Sequence, residues 1–334
     1  MRIAVIGTGA LGGTFATLLA RAGHDVTVTA RGEGLAAIRA DGIRLSGGFG
    51  DAHARPNALE RLTEKPELTL VCTKAQDAAA AISDNAAFID GSPVIVVQNG
   101  LDGVSTARRL LPRSDCFGAL VIIAANYTSP GRVTVTTAAP TYLGRGDGAV
   151  DAATRAWQAV LAQAVPVTAI DNFVGAQWTK LIVNMLNALP AITGMSVQAV
   201  VDHAGLRRVM TASMREAVRV GMTRGVRFGA LQALDDRRLR AFSALPLWLG
   251  QLLPLRMRAR MGNVPNLGST QQSLRRGQRT EVDYLNGAVV REAGVAGVAA
   301  PVNALLTALV HEVEDRGGAL SASDVISRFD ALRS

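Results

Sequence analysis

Short apolar runs alternate with helical patterns along the first half of the chain. Residues 2–6 ("RIAVI") are apolar, and after the glycine-rich "GTGALGG" the alanines and leucines of 14–24 favour a helix. A second β-like run, "DVTVTAR", follows at 25–31. A strand, a glycine turn, a helix and another strand within about thirty residues form the βαβ pattern of a parallel sheet.

The alternation continues towards residue 170. Further strands are predicted at 68–73, 92–98, 116–125 and 132–136, and the segments "AQDAAAAISD" and "STARRLL" favour the intervening helices. The pattern predicts a doubly wound α/β domain with a parallel sheet over residues 1–170.

Strand-like runs give way to long helical patterns near residues 167–178. Residues 206–225 and 271–294 carry apolar side chains at helical spacing and predict a mostly helical domain over 171–334. The segment 245–263 is apolar and then basic, and prolines interrupt it. It is compatible with a helix on a membrane surface, but its short length and prolines favour a packed helix or a subunit contact.

Composition and charge narrow the classes of function. The chain is 49% hydrophobic and 19% charged, as is typical of a well-packed globular protein. Its net charge of +8 does not indicate nucleic-acid binding, because the arginines are spread out and only 4% of residues are aromatic. The charge favours small anionic ligands. Two cysteines and four histidines, in no metal-ligand spacing, indicate neither a disulfide framework nor a metal site.

The chain also lacks the apolar run of about 18 residues that a spanning helix needs. Glycines interrupt the apolar N-terminal run, which is therefore predicted to be a folded strand and not a signal peptide. We expect a soluble, cytoplasmic protein with neither a membrane nor a nucleic-acid partner. A homodimer is considered as well, and the residues do not decide it.

The glycines of the first βαβ unit carry a recognisable spacing. Gly7, Gly9 and Gly12, with Ala10 and Leu11 between them, form a G-x-G-x-x-G motif directly after a strand and at the start of a helix. The first glycine permits a tight turn, the second lets a pyrophosphate approach the backbone, and the third allows close packing of helix and strand. The motif in this context predicts dinucleotide binding.

Three further polar residues follow predicted strands, where the ligand crevice of such a sheet lies. The second strand ends in Arg31 instead of an acidic residue, which favours NADPH because a guanidinium pairs with the 2′-phosphate. Glu33 is nearby but falls beyond the strand. Lys74 is predicted to add charge near the cofactor phosphate. Asn99 either bridges cofactor and substrate or belongs to a simple Asn-Gly turn.

Lys180 is one of only three lysines, and it lies in a largely apolar helical pattern. With Asn184 and Asn187 it follows i, i+4 and i+7 spacing, so one continuous helix would present all three on one face. Arginine cannot release its proton at accessible pH, so a lysine here suits a general acid. The alternative is a lysine paired with a carboxylate.

A second polar cluster occupies residues 268–287. Glu281 and Asp283 lie near Asn286, and Ser269 precedes them. Alone, such a cluster is most often a solvated helix face.

Together, segments in order along nearly the whole chain resemble the ketopantoate reductases (2-dehydropantoate 2-reductases). The resemblance implies an N-terminal Rossmann-type domain followed by an all-helical C-terminal domain of the 6-phosphogluconate-dehydrogenase type. The segments are "GTGALGG", "VTAR", "TKAQD", "VVQNG", the stretch from "SPGRV" to "YLGRG", "WTKLIVN" and "GSTQQSLRRGQRTEVDYLNG".

The resemblance also implies the activity, which is NADPH-dependent reduction of ketopantoate to pantoate in pantothenate and coenzyme A biosynthesis. Lys180 matches the catalytic lysine that stabilises and protonates the developing alkoxide, and Glu281 matches the glutamate that orients the substrate hydroxyl or the lysine. The other matches are Asn184 for substrate, Asn99 and Ser269 for substrate or nicotinamide, and Arg31 and Lys74 for the 2′-phosphate.

The chain departs from the family pattern at two places. The family commonly has a further asparagine eight residues after the lysine, whereas this chain has Ala188 there and Asn187 one step earlier, about 100° away on an intact helix. "STQQS" also replaces the usual start of the second motif, giving Thr270 and Ser273. Two alternatives therefore stay open: a reductase of another 2-oxo acid or ketone, and a non-catalytic NADPH-binding sensor.

Overall fold

A computed structural model describes residues 1–262 and 265–332. The chain divides into two compact units, Met1–Val174 and Gly175–Ser334. The first unit contains two sheets and five helices among its described residues. Its helices are α1 Ala10–Arg21, α2 Gly32–Asp41, α3 Ala75–Ile89, α4 Gly103–Leu110 and α5 Ala152–Leu161.

The strands of the first unit are short, and those in the middle of the larger sheet are apolar on both faces. The strands are β1 Arg2–Ile6, β2 Asp25–Thr29, β3 Ile43–Gly47, β4 Ala52–Ala54, β5 Asn57–Leu59, β6 Leu68–Val71, β7 Val94–Val96, β8 Cys116–Val121, β9 Ala124–Ser129, β10 Arg132–Thr137, β11 Thr141–Gly144 and β12 Val167–Ala169.

The larger sheet has the order β12-β11-β8-β7-β6-β1-β2-β5. Strands β5, β2, β1, β6, β7 and β8 are all parallel, with Ile3 opposite Val26 on one side of β1 and opposite Leu68 on the other. The chain runs outward from β1 to β2 and β5 and then returns to β6, so the order reverses between β1 and β6. This is the strand order of a dinucleotide-binding sheet, and ligands bind such sheets at the carboxyl ends of the strands beside the reversal.

The smaller sheet has the order β4-β3-β10-β9. The prediction of one strand over 116–125 was wrong, because β8 ends at Val121 in the larger sheet and β9 starts at Ala124 in the smaller one. The run "CFGALVIIAA" is apolar throughout, so its periodicity contains no sign that the chain changes sheets. The pairing partners decide the matter, since β8 pairs with β7 and β11 whereas β9 pairs with β10.

The second unit is helical, as predicted, and is built around α9. Ten side chains or glycines of α9 are buried, among them Val209, Met210 and Met214, and α8, α10, α14, α15 and α16 pack on this helix. Helix α6 Phe173–Asn184 begins two residues before this unit. The other helices are α7 Ala188–Thr193, α8 Val197–Asp202, α9 Ala204–Thr223, α10 Asp236–Ala244, α11 Leu247–Gly250, α12 Leu252–Ala259, α13 Gly268–Arg275, the 3₁₀ helix Val282–Tyr284, α14 Asn286–Ala296, α15 Pro301–Arg316 and α16 Ala322–Ala331.

The continuous helix predicted through Lys180, Asn184 and Asn187 was also wrong. Helix α6 ends at Asn184, and Asn187 is the residue before α7. Pro190 explains the break, because a proline inside a continued helix would lack its N–H and press its ring against the carbonyl of Leu186. The restart places Pro190 in the first turn of α7, where the backbone N–H groups need no intrahelical partner.

The segment 245–263 contains α11 and α12, and its residue 263 lies outside the described part of the chain. Helix α11 packs on α9, and α12 packs on α8 and α9. The packed-helix interpretation is therefore correct for one face, while the opposite face leaves Trp248 71% exposed. Within the described residues no helix has the length and apolar character needed to cross a bilayer.

Candidate active site

The glycine motif forms a tight loop between β1 and α1. Gly7 has φ +91, and a Cβ there would lie 2.7 Å from Cγ2 of Thr73. A Cβ on Gly12 would lie only 1.8 Å from the carbonyl oxygen of Gly7. Both positions therefore require glycine, the first for its backbone conformation and both for close packing.

Gly9 has a different environment. It is the residue before α1, no side chain caps the helix there, and a Cβ on Gly9 would meet no atom within 4 Å. The N–H groups of the first turn, which includes Ala10 and Leu11, are therefore not satisfied by a capping side chain. A helix N-terminus with open space before it suits a phosphate.

Strand β2 ends at Thr29, two residues before the predicted end at Arg31, and Arg31 directly precedes α2. Its guanidinium is exposed and donates to the carboxylate of Asp84 at 2.7 Å. Arg61, which follows β5 at the same edge of the sheet, lies 3.4 Å from the other oxygen of Asp84. Two guanidinium groups thus share one carboxylate beside the end of β2.

Lys74 and Asn99 also lie at this edge, since Lys74 follows β6 and Asn99 follows β7. Gln98 connects the two loops, because its Nε2 donates to the carbonyl oxygen of Thr73 at 2.9 Å. Four adjacent parallel strands therefore place the glycine loop, Arg31, Lys74 and Asn99 along one edge.

In the second unit, Lys180 and Asn184 lie one turn apart on α6. Burial lowers the pKa of Lys180 to about 8, and the negative charge of Glu281 partly opposes this effect. Glu281 directly precedes the 3₁₀ helix Val282–Tyr284. The charge of this carboxylate thus acts on a lysine that loses its proton near pH 8.

Asn187 does not share the α6 face but lies against the start of α13. A Cβ on Gly268 would lie 2.7 Å from Oδ1 of Asn187, and Gly268 has φ +70. Ser269, the next residue, is exposed in the first turn of α13. The break after α6 therefore moves the Asn187 amide towards the segment that carries Ser269.

Sequence reasoning missed several residues around these groups. Asp84 and Gln98 each pair with a residue that is distant in sequence, and no local sequence pattern predicts these pairs. Arg61 had a weak signal, because it follows a short strand at the ligand edge of the sheet. His311 and Glu314, which contact the segment around Glu281, were not singled out either.

Comparison with known proteins gives matches over most of the chain. The family model described as ketopantoate reductase PanE/ApbA matches residues 3–148, and the model of its C-terminal part matches residues 172–314. A 2-dehydropantoate 2-reductase from Archaeoglobus fulgidus is 29% identical, over 94% of this chain and 98% of the relative. One from Pyrococcus horikoshii is 26% identical, over 95% and 99%.

Solved structures agree with these sequence matches. A PanE/ApbA family ketopantoate reductase from Ralstonia eutropha JMP134 is similar with a TM-score of 0.80 and 31% identity, covering 95% of this chain and 99% of that one. The ternary structure of D-mandelate dehydrogenase with NADH and anilino(oxo)acetate gives a TM-score of 0.79 at 20% identity over the same shares. This second likeness is one of fold alone.

Proposed function

The chain belongs to the ketopantoate reductase family, as its sequence resemblance predicted, and from this premise we propose that it reduces 2-dehydropantoate to pantoate with NADPH. The curated relatives carry the name 2-dehydropantoate 2-reductase, which gives the substrate and the reaction but not the cofactor. The choice of NADPH rests on Arg31 and Lys74 at the ligand edge of the sheet, because guanidinium and ammonium groups bind a phosphate.

The observation that carries the proposal is the state of Lys180. A lysine with a pKa of about 8 is still largely protonated at neutral pH, yet it gives up its proton far more readily than an ordinary lysine. Arginine would supply charge at this place but no transferable proton. The α6 lysine therefore suits a reaction in which negative charge forms on oxygen and must be protonated.

The residues have distinct tasks in this mechanism. A bound nicotinamide would supply the hydride for the C2 carbonyl carbon. Lys180 stabilises the negative charge that forms on the carbonyl oxygen and then donates its Nζ proton to that oxygen. Glu281 keeps Lys180 protonated through its charge and orients it or the substrate hydroxyl. Asn184, one turn after Lys180, binds the substrate.

The cofactor half of the proposal can be tested against the glycine loop. The open space at Gly9 and the uncapped start of α1 fit a pyrophosphate, so Gly7, Gly9, Ala10, Leu11 and Gly12 would hold it. Arg31 and Lys74 would bind the 2′-phosphate, and Asn99 the nicotinamide or the substrate. Ser269 and Asn187 complete the proposed substrate contacts in the second unit.

The pH dependence of the reaction follows from the pKa of Lys180. Because the protonated amine is the active form, kcat/KM should be highest below pH 8 and fall as the pH rises through about 8. The kcat profile should fall at a higher pH than the kcat/KM profile, because the carboxylate of a bound 2-oxo acid favours the charged form of Lys180 and raises its pKa. Steady-state rates measured across this range, with NADPH binding followed separately, check the prediction. A kcat/KM profile that stays level through pH 8 while NADPH binding is unchanged would contradict it.

Two glycine substitutions separate ligand binding from folding. Gly9→Ala should leave the melting temperature nearly unchanged and raise the Kd for NADPH about tenfold, because the methyl group occupies only the space before α1. Gly12→Ala should lower stability by about 1–3 kcal/mol, because its methyl group collides with the Gly7 carbonyl. Thermal unfolding and fluorescence titration with NADPH measure both effects. Equal destabilisation by the two changes would contradict this assignment.

A second candidate is a reductase of another 2-oxo acid, and the position of Asn187 favours it. With Asn187 beside Gly268, α6 contributes Asn184 as the only asparagine on the face one turn after Lys180. A panel of 2-oxo acids assayed by NADPH absorbance separates the candidates, with NADH run in parallel. Turnover of ketopantoate well above the other acids supports the proposal, and its absence alongside turnover of another acid supports the second candidate. Tight NADPH binding without any turnover would indicate a sensor.

A further inference from the structure

The segment that carries Glu281 is fastened to the C-terminal half of α15. Glu314 has a nearly buried side chain, 4% exposed, and its Oε1 accepts the backbone N–H of Thr280 at 2.7 Å. Its Oε2 accepts Nη1 of Arg279 at 3.1 Å. Although burial disfavours the carboxylate, these hydrogen bonds and the one from His311 lower the pKa of Glu314. One ionised carboxylate thus holds the backbone directly before Glu281.

His311 fastens the other side of Glu281 to the same helix. Its Nδ1 lies 2.8 Å from Oε2 of Glu314, and its Nε2 lies 2.9 Å from Oδ1 of Asp283. A carboxylate oxygen only accepts hydrogen bonds, so an imidazole between two carboxylates must carry a proton on both nitrogens to donate to each. The bridge from Glu314 through His311 to Asp283 therefore needs the imidazolium.

We propose that His311 is a positioning residue for the reaction, whose protonated ring ties Asp283 to Glu314 and thereby holds Glu281 where its charge acts on Lys180. The inference rests on the proposed function of Lys180 and Glu281. His311 makes its hydrogen bonds to Glu314 and Asp283. It acts through the turn between Thr280 and Asp283.

The charges around His311 decide when the bridge forms. Burial favours the neutral ring, but the hydrogen bonds to Glu314 and Asp283 and their negative charges outweigh it and raise the pKa of His311. Two arginines face the same segment. Arg279 contacts Glu314 and also lies 3.4 Å from Asp315, and Arg291 donates to the backbone oxygen of Asp283. Both pair with groups other than the ring, so the two carboxylates dominate its surroundings.

The raised pKa fixes the sign of the effect. The bridge is complete below the ordinary histidine pKa and is lost as the pH rises through the raised value. A neutral ring can donate to only one of the two carboxylates. Glu314 stays in place in either case, because it also accepts hydrogen bonds from Arg279 and Thr280. The Asp283 contact, which is exposed, is therefore the one that opens.

A direct electrostatic role and a positioning role of His311 predict opposite results. If the imidazolium acted on Lys180 only through its own charge, removing it would raise the pKa of Lys180. If His311 positions Glu281, removing the imidazole weakens the effect of the Glu281 charge on Lys180. The pKa of Lys180 then falls. The direction of the shift in a His311 variant therefore distinguishes the two.

The chain offers a direct readout because it contains only three lysines. Incorporation of lysine labelled with ¹³C at Cε, followed by NMR titration, gives the pKa of Lys180, with Lys180→Met and Lys65→Met used for assignment. We expect His311→Gln to lower that pKa by about one unit. Asp283→Asn should produce a similar shift, and the double variant should shift no further, because both changes break the same bridge.

Glu312→Gln is the matched control, since Glu312 lies on the same helix but pairs with Arg328 and Arg316 and not with the Glu281 segment. It should leave the pKa of Lys180 unchanged. An unchanged or raised pKa in folded His311→Gln, or additive shifts in the double variant, would overturn the inference. Should His311→Gln not fold, Asp283→Asn alone decides the point. Wild-type turnover is measured in parallel, so that an expected NMR shift without any turnover rejects only the proposed function.

Discussion

Replacement of Lys180 by methionine is expected to lower kcat by about a thousandfold while the Kd for NADPH changes less than threefold. General acid catalysis contributes about 10²–10⁴ to a rate, and a fixed cation at the developing charge adds to it. Methionine keeps the unbranched chain and removes both the charge and the proton. Because Lys180 is a desolvated cation, the methionine variant should fold at least as well as the wild type. Single-turnover rates and fluorescence titration with NADPH measure the two quantities.

The control for this change is Lys65→Met, at an exposed lysine of the first unit. It removes the same charge from the chain and should leave kcat unaltered. Lys180→Arg adds a second comparison, because it restores the charge without an exchangeable proton and should recover only a small part of the lost rate. A similar fall in kcat and in NADPH affinity for Lys180→Met would mean that the lysine serves structure and not proton transfer.

The carboxyl edge of the parallel sheet was the part of the candidate site most accessible to sequence reasoning. Gly7, Arg31, Lys74 and Asn99 each follow an apolar strand, and parallel strands end at a common edge whatever their order. The βαβ pattern therefore predicts their proximity before any pairing is known. The pattern does not contain the partner of Arg31, because Asp84 lies in α3 and reaches it only after the sheet and helix are assembled.

The second unit shows why the remaining features escaped prediction. Apolar spacing continues smoothly from Lys180 past Asn187, so the periodicity hides a break that one proline imposes. Pro190 was visible in the sequence. In a continued helix its ring would clash with the carbonyl of Leu186, so the sequence already indicated that the helix ends before the proline. The bridge of His311 with Glu314 and Asp283 had no such signal. It joins two segments through hydrogen bonds whose partners are fixed only by the packing of α15.

Replacement of Arg31 by alanine is expected to raise the Kd for NADPH about thirtyfold to a hundredfold and to leave the Kd for NADH within a factor of about two. Hydrogen bonds to charged groups contribute about 1.5–3 kcal/mol each, or about 12-fold to 150-fold in a dissociation constant, and the expected effect lies within these limits. The arginine is paired with Asp84 at 2.7 Å, so a 2′-phosphate must compete with that carboxylate. In the alanine variant Asp84 keeps its negative charge beside the site and repels the phosphate further.

Asp84→Asn therefore tests the same arrangement from the opposite side. Removing the competing carboxylate should strengthen NADPH binding several-fold, because both Arg31 and Arg61 lose their partner and can turn to the phosphate. Arg113→Ala is the matched control, since Arg113 is an exposed arginine that pairs with Asp90 at 2.9 Å before the amino end of β7. It should change neither dissociation constant.

If Arg31→Ala weakens the binding of NADPH and NADH equally, the arginine supports the loop and does not select the 2′-phosphate. If Asp84→Asn also leaves NADPH binding unchanged, neither Arg31 nor Arg61 binds the phosphate, and Lys74 is the next residue at this edge to test.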